Sequence, residues 1–177
     1  MLIYLTMLDD PAERTLFETV YRKYRNLMFY IANSILKDDH LAEDAVHNAF
    51  LKLLNHMDAI SDPDSTRAKN FLALVCERTA IDLYKSTKRG KEISIDEIEE
   101  NRSVFGTEME LGNPVYDAVM NLPFLYREVM MYKFIQGYEN DEISRMLGIP
   151  EGTVRQRISR GKQRLKKMLE EENGNDG

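Results

Sequence analysis

The side chains best suited to a chemical task lie in residues 141–167, where two short helices are predicted on either side of a tight turn. Gly148 suits the left-handed backbone conformation that ends a helix, and Pro150 favours a helix start directly after it. The second helix has no acidic residue from Gly152 to Leu169, although the whole chain has a formal net charge of −6. This local reversal of charge is typical of a helix that meets a polyanion.

A helical wheel divides this second helix into a packing side and a polar side. The packing side consists of Val154, Ile158, Gly161, Leu165 and Met168. The polar side consists of Gln156, Ser159, Arg160 and Gln163. Arginine and glutamine can hydrogen-bond to base edges in the major groove, while flanking cations contact phosphates. The pattern predicts a DNA-binding helix-turn-helix; a solvated amphipathic helix is the alternative, which the short preceding helix and the glycine turn make weaker.

A second group of side chains could bind a metal. Asp44 and His47 lie three residues apart on a predicted helix, with His40 one turn before Asp44, an arrangement seen in di-iron bundles. Such a site needs a second carboxylate three residues before a histidine on another helix, and His56 has Leu53 at that position. The sequence also has no glycine-rich phosphate loop and no nucleophile elbow. We therefore expect no enzyme, no metal site, no cofactor and no small-molecule substrate.

Composition limits the possible classes of protein. The chain has 177 residues, of which 43% are hydrophobic and 31% charged, with no Trp, as expected for a helical protein with one large or two small domains. The single cysteine, Cys76, cannot form an intramolecular disulfide and is expected to be a small core residue. Proteins that coat DNA are normally basic, so this acidic chain is expected to bind free DNA weakly and to need a second partner.

The sequence has no apolar run near the roughly 20 residues that span a bilayer. The apolar residues 1–8 lack a basic leader and a small-residue cleavage site, so they do not resemble a secretion signal. We expect a cytoplasmic protein with no direct membrane insertion.

Helical periodicity runs through both halves, and no strand is predicted. A helix is expected from Asp10, with Asp10 as its cap and Pro11 at its first position, to about Lys37. Two more helices are predicted at 40–57 and 66–86, on either side of a loop at 61–65. Residues 124–135 and the two helices of the opening motif follow in the second half.

The predicted fold is all-α, with two small helical domains joined by a flexible acidic linker. The domain boundaries are placed at residues 1–89 and 114–170, and the second domain contains the helix-turn-helix. The linker, 90–113, is acidic, contains glycine and proline, and shows weak periodicity. Residues 171–177 are predicted to be a disordered tail.

Taken together, these segments resemble a bacterial RNA polymerase sigma factor of the extracytoplasmic-function (ECF) type, which has only regions 2 and 4. Residues 38–53, with Ala42-Glu43-Asp44 and Phe50-Leu51, resemble the region 2 signature. Leu122-Pro123, Leu147-Gly148 and residues 152–157 resemble region 4. The resemblance covers roughly 10–89 and 114–169 and leaves the linker unmatched. It implies an alternative sigma factor that binds core RNA polymerase and promoter DNA, reads −35 and −10 elements, and assists DNA melting.

In the family, region 2 docks on the clamp helices of the largest polymerase subunit. The resemblance carries this role over to five positions of the predicted second helix: Glu43, Asp44, His47, Asn48 and Lys52. His47 stands where the family usually has Gln, so the hydrogen bond at this position is expected to differ. First-turn acids that favour the helix dipole are the plain alternative for Glu43 and Asp44.

Region 2 relatives also bind a flipped base of the −10 element in the loop before the third helix. The corresponding candidates in this loop and helix are Ser61, Ser65, Arg67, Lys69, Asn70, Arg78, Lys85, Lys88 and Arg89. The loop at 58–62 offers no aromatic ring for stacking. Arg78 stands where the family usually has Asn. For Lys85 and Lys88, the alternative to a phosphate contact is that they only make the end of the helix soluble.

Region 4 relatives contact the −35 element through the second helix of the motif. The resemblance assigns these contacts to Arg155, Gln156, Ser159 and Arg160, and places Thr153 and Arg157 near phosphates. The helical wheel independently places Gln156, Ser159 and Arg160 outermost. Gly161 stands where the family usually has Ala, which is expected to loosen the helix slightly.

Two other functions stay open at this point. One is a stand-alone helix-turn-helix regulator in which residues 1–89 form an effector or dimerisation domain. The other is a sigma-like protein that binds polymerase without initiating. The family resemblance also implies an anti-sigma factor as a further partner, although no residue of the chain identifies one.

Overall fold

The computed structural model describes residues 1–88 and 114–174, which belong to two compact units. These residues are helical as predicted, with no strand among them. The predicted linker at 90–113 and the candidate Arg89 lie outside the described residues. Within the described ranges no helix is long and apolar enough to cross a membrane.

In residues 1–88, the described part of the first unit, there are four α-helices and one short 3-10 turn. Their bounds are α1 Leu2–Leu5, α2 Pro11–Leu36, α3 Asp39–Leu54, the 3-10 turn Met57–Ala59, and α4 Thr66–Thr87. Helices α2, α3 and α4 pack against one another. Phe17, Met28, Phe50, Phe71 and Leu72 are completely buried between them. These large apolar side chains form the core that holds the three helices together.

Each of the three long helices begins at a polar cap. The side chain of Asp10 accepts a hydrogen bond from the Ala12 amide at 2.8 Å, and Pro11 occupies the first helical position. Asp38 accepts from the Leu41 amide at 2.9 Å, and Ser65 accepts from the Ala68 amide at 3.1 Å. Such caps satisfy amides that have no partner within the helix. The predicted start at Asp10 is confirmed.

Helix α1 and the residues that follow it had no predicted role. Tyr4 and Leu8 are buried against the rest of the unit. The Arg14 Nε atom donates a hydrogen bond to the Leu8 carbonyl oxygen at 2.7 Å. The apolar start of the sequence is therefore a packed segment of the first unit.

The second unit contains the helix-turn-helix. Its elements are α5 Pro114–Met120, α6 Phe124–Met130, a π-helical segment Met131–Gln136, α7 Asn140–Leu147 and α8 Glu151–Gly174. Residues 124–135 were predicted as one regular helix, but from Met131 the turn widens to a π-helix. Helix α8 continues to Gly174, so residues 171–174 are helical where a disordered tail was predicted.

Candidate nucleic-acid interface

The turn between α7 and α8 is fixed by backbone conformation and by one side chain. Gly148 has a φ of +63°, the left-handed conformation that the sequence predicted at this position. The Ser144 hydroxyl donates a hydrogen bond to the Ile149 carbonyl oxygen at 2.6 Å. At the other end of α7, the Glu142 carboxylate accepts from the Glu139 amide at 2.7 Å in a capping box. Helix α7 is therefore held at both ends.

The packing side of α8 is the predicted one. Val154 and Ile158 are buried, as are Ile143 and Leu147 of α7. Gly161 is also buried, beside Met130 and Tyr126 of α6. These contacts position α8 against both α6 and α7 and leave its opposite side exposed to solvent.

Three polar side chains project from that opposite side: Gln156, Ser159 and Arg160 are exposed. Within the described residues, none of them forms a hydrogen bond or an ion pair with another part of the protein. Their donors and acceptors are thus available to another molecule. An exposed row of Gln, Ser and Arg on a helix has the groups that read base edges in a major groove.

The remaining −35 candidates lie beside this row in different environments. Arg155 is exposed and forms an ion pair with Glu151 one turn earlier. Thr153 and Arg157 are half-buried. Lys162 and Arg164 lie over the rings of Phe134 and Tyr126, each with its cation 5.0 Å from the ring centroid. Cations therefore border the exposed row on both sides.

The loop before α4 is tied to α2. The Tyr24 hydroxyl donates to the Pro63 carbonyl oxygen at 2.6 Å, and Lys23 forms an ion pair with Asp64. Asp62 accepts a hydrogen bond from the Asp64 amide at 2.9 Å. The loop therefore has an ordered shape before any ligand binds.

The −10 candidates of this loop and the start of α4 differ in accessibility. Ser61 and Arg67 are exposed, whereas Lys69 and Asn70 are half-buried. The Asn70 amide nitrogen is buried and has no hydrogen-bond acceptor in the described part of the chain. Ser65 already has two partners, since its hydroxyl caps α4 and donates to the Asp62 carbonyl oxygen at 2.7 Å. The cap accounts for Ser65 without any contact to DNA.

The cationic candidates further along α4 are also unequal. Arg78 forms an ion pair with Asp82 at 3.1 Å, one turn later. Lys85 and Lys88 are exposed at the end of the helix, with the Lys88 ammonium 5.1 Å from the Tyr84 ring centroid. The two lysines are accessible to phosphates, whereas Arg78 already has an internal partner.

The proposed docking residues lie on one exposed face of α3. Glu43, Asp44, His47, Asn48 and Lys52, here called the docking surface, are all exposed. Glu43 pairs with Arg25 of α2 at 2.8 Å. The Lys52 ammonium lies 3.2 Å from the Thr79 hydroxyl and 3.9 Å from the Asp82 carboxylate, both on α4. Lys52 therefore also links α3 to α4.

No cluster of His, Cys, Asp or Glu suited to a metal ion occurs in the parts of the chain described.

The sequence did not predict the partner of His47. The Tyr4 hydroxyl lies 2.6 Å from His47 Nδ1, within hydrogen-bond distance, and the two ring centroids are 5.4 Å apart. Tyr4 also contacts the rings of Phe17, Tyr21 and Phe50. Burial raises the pKa of Tyr4, with a smaller contribution from Tyr21. The only sequence signal was the apolar character of residues 1–8, which does not specify a contact 43 residues away.

Comparison with known families matches both halves of the chain. The family model described as Sigma-70 region 2 matches residues 20–90. The model described as Sigma-70, region 4 matches residues 113–165. The two segments occur in the predicted order, and each includes the candidate residues described above for its half. The chain belongs to the sigma-70 family of RNA polymerase sigma factors.

Two relatives with similar sequences place the chain in the ECF group of sigma factors. The chain is 25% identical over 174 residues to the ECF RNA polymerase sigma factor SigW of Bacillus subtilis, covering 86% of this chain and 88% of SigW. It is 27% identical over 158 residues to the ECF RNA polymerase sigma factor SigM of the same organism, covering 85% of this chain and 93% of SigM. The predicted ECF resemblance is confirmed. A solved complex of the sigma factor RpoE with the anti-sigma factor NepR from Bartonella quintana gives 20% identity and a TM-score of 0.43, covering 87% of this chain and 96% of that one.

Family membership bears on the classes of function that the sequence raised. Sigma factors are not enzymes. A stand-alone regulator is not supported, because the region 2 match extends through the half that this alternative treated as an effector domain. The roles of individual residues within each region remain predictions.

Proposed function

We propose that this chain is an alternative sigma factor whose α8 reads the −35 promoter element while α4 and the preceding loop bind the −10 element. The observation that best supports this proposal is the exposed row Gln156, Ser159 and Arg160, whose polar groups have no partner within the described residues. Arg160 and Gln156 hydrogen-bond to base edges, and Arg155 and Arg157 contact the flanking phosphates together with Thr153.

Helix α8 needs a tether to work at a promoter. The chain has a formal charge of −6, so long-range attraction to DNA is weak outside α8. Core RNA polymerase supplies the tether by binding the docking surface on α3. Within that surface, Asp44 and Asn48 are exposed, whereas Lys52 and Glu43 each contact another helix. Docking therefore depends chiefly on Asp44 and Asn48, with His47 held beside them by its contact with Tyr4.

The −10 element is held by the ordered loop and by α4. The buried Asn70 amide nitrogen offers a hydrogen-bond donor that has no acceptor in the described residues, which suits recognition of a base edge. Ser61 in the loop and Arg67 at the start of α4 are exposed, and Lys69 is half-buried. Lys85 and Lys88, with Arg89 next in the chain, contact phosphates further along. A fixed loop lowers the ordering cost of holding an unpaired base.

We place the protein in the cytoplasm, where bacterial polymerase acts. An anti-sigma factor that binds one or both units is proposed as its regulator.

Transcription from the DNA of the native host tests this function. Purified core polymerase is incubated with that DNA, with and without the protein, and the 5′ ends of the transcripts are sequenced. The expected result is a set of new start sites that share sequence elements near −35 and −10. Start sites identical to those of core polymerase alone would contradict the proposal.

A further inference from the structure

The N-terminal segment presents an apolar patch to solvent. Leu2, Ile3 and Met7, here called the N-terminal patch, are 78%, 63% and 60% exposed. These three are the most exposed of the large hydrophobic side chains in the described residues. Three such side chains within six consecutive residues form a local concentration of exposed apolar surface, a feature that marks protein interfaces.

The same segment is firmly attached to the first unit. Tyr4 and Leu8 are buried, with Tyr4 packed among the rings of Phe17, Tyr21 and Phe50. Arg14 holds the Leu8 carbonyl oxygen at 2.7 Å. Because its anchors are fixed, the patch is pre-shaped, and a partner that covers it does not have to order it first.

The segment lies beside the proposed docking surface, which indicates its partner. Tyr4 lies between two members of the patch in sequence and 2.6 Å from His47 of the docking surface. His47, Glu43, Asp44 and Asn48 nevertheless remain exposed, so the segment borders the docking surface without covering it. The region 2 match begins at residue 20, so the N-terminal segment lies outside the part of the chain that the family model matches.

We propose that the N-terminal patch is an apolar extension of the docking surface and binds core RNA polymerase next to His47. Tyr4 acts as a positioning residue that joins the two. The proposal rests on the proposed function, since it assumes that α3 docks on polymerase. The His47 ring packs at a tilt of 42° beside the Tyr4 ring and reaches its hydroxyl, which holds the segment next to the docking surface.

The test measures the affinity of the full chain for purified core RNA polymerase. A labelled Leu2→Ser/Ile3→Ser double variant is compared with the wild type by fluorescence anisotropy, and thermal unfolding is recorded for both. Because the two side chains are exposed, the unfolding temperature should stay unchanged while binding weakens by roughly tenfold or more. Met7→Ser is a second variant, which gives a separate answer if the double variant unfolds more easily.

Tyr30→Ser is the matched control. Tyr30 is 58% exposed and lies on α2, nine residues after Tyr21, which corresponds to about 13 Å along the helix. Its replacement should leave polymerase affinity within about twofold of the wild type, well below the tenfold loss expected of an interface residue.

The outcomes separate the two proposals. If the wild type does not bind core polymerase, the proposed function fails. If the wild type binds and the patch variants bind equally well, only the extension fails. The extension is also overturned if the wild type is a dimer that the variants dissociate without losing polymerase affinity, because the patch would then join two copies of this chain.

Discussion

The side chain of Met130 fills the space beside Gly161: a Cβ atom on Gly161 would lie 3.1 Å from Met130 Cγ and 3.3 Å from its sulfur. The glycine was expected to loosen α8. It does lower the intrinsic helix propensity, but it also lets α6 and α8 approach closely at this point. Since α8 holds the proposed base-reading residues, this contact fixes the helix that is proposed to enter the groove.

Substitutions at two glycines of α8 test this contact. Gly161→Leu should destabilise the second unit by about 1–3 kcal/mol, because the added side chain meets Met130 and Tyr126 in a filled space. Gly152 is the control, since a Cβ there would meet nothing within 4 Å. Gly152→Ala should stabilise by up to about 1 kcal/mol. Chemical denaturation measures the free energy of unfolding of both variants. Equal changes at the two glycines would contradict the close packing at Gly161.

The ion pair between Glu151 and Arg155 is expected to compete with DNA phosphates for the arginine side chain. Glu151→Gln should tighten DNA binding by the second unit within the full chain, because Arg155 is released and an acid near the phosphates is removed. The slope of log K against log salt concentration should steepen by about 1. The control is Glu170→Gln, which breaks the similar Lys166–Glu170 pair near the other end of α8 and should change neither quantity. Unchanged affinity and an unchanged salt slope in Glu151→Gln would contradict a contact between Arg155 and DNA.

The double hydrogen bonding of Ser65 predicts a structural role. Ser65→Ala should lower the free energy of unfolding of the first unit by about 0.5–2 kcal/mol, because the Ala68 amide loses its cap. Ser65→Asp should restore most of that stability, since aspartate is an equally good cap. Ser61→Ala at the exposed neighbouring position is expected to leave stability unchanged. If Ser65→Ala unfolds like the wild type but loses transcription, Ser65 acts on DNA instead.

The burial of Cys76 predicts both its reactivity and a dependence of stability on pH. Burial, with the nearby Glu77, raises the pKa of Cys76 from 9.0 to about 12, and its thiol donates to the Met28 carbonyl oxygen at 3.1 Å. The native state keeps the proton over a range in which the unfolded state loses it. The stabilisation is thus complete below pH 9.0 and is lost as the pH rises to about 12.

A disulfide reagent that releases a coloured product reports the reaction rate of the Cys76 thiol directly, since the chain has one cysteine. At pH 8 the native protein should react far more slowly than the protein in denaturant. Cys76→Ala should show a weaker fall in the free energy of unfolding above pH 9.0 than the wild type. Equal labelling of folded and unfolded protein would contradict the buried position.

The sequence predicted helices and faces well where local rules decide them. Asp10 with Pro11, and Gly148 in the turn, define helix ends by short-range backbone chemistry, so their positions could be read directly. The exposed row Gln156, Ser159 and Arg160 follows from helical periodicity alone. By contrast, the Tyr4–His47 contact joins residues far apart in the chain, and nothing local requires it. The ion pair between Lys52 and Asp82 on α4 could not be predicted for the same reason, because the two residues are far apart in the chain.

The π-helical segment and the end of α8 show another limit. The periodicity of residues 124–135 fits an α-helix, and the widening at Met131–Gln136 depends on packing in the second unit. Residues 171–174 are polar and have no packing pattern, so a tail was predicted, yet α8 continues through them. Acids at Glu170 and Glu171 pair with Lys166 and Lys167 one turn earlier, which supports the last turns.

Transcription from a mapped promoter with variants of α8 tests the central claim most directly. Wild type, Arg160→Ala and Lys166→Ala are each combined with purified core polymerase, and both polymerase affinity and transcript yield are measured. Arg160→Ala should bind polymerase normally but lose about 1–3 kcal/mol of promoter binding, with relaxed selectivity at the −35 element. Lys166→Ala removes a cation of the same helix that is paired with Glu170, and should keep selectivity. Wild-type selectivity in Arg160→Ala would contradict the assignment of α8 to the −35 element.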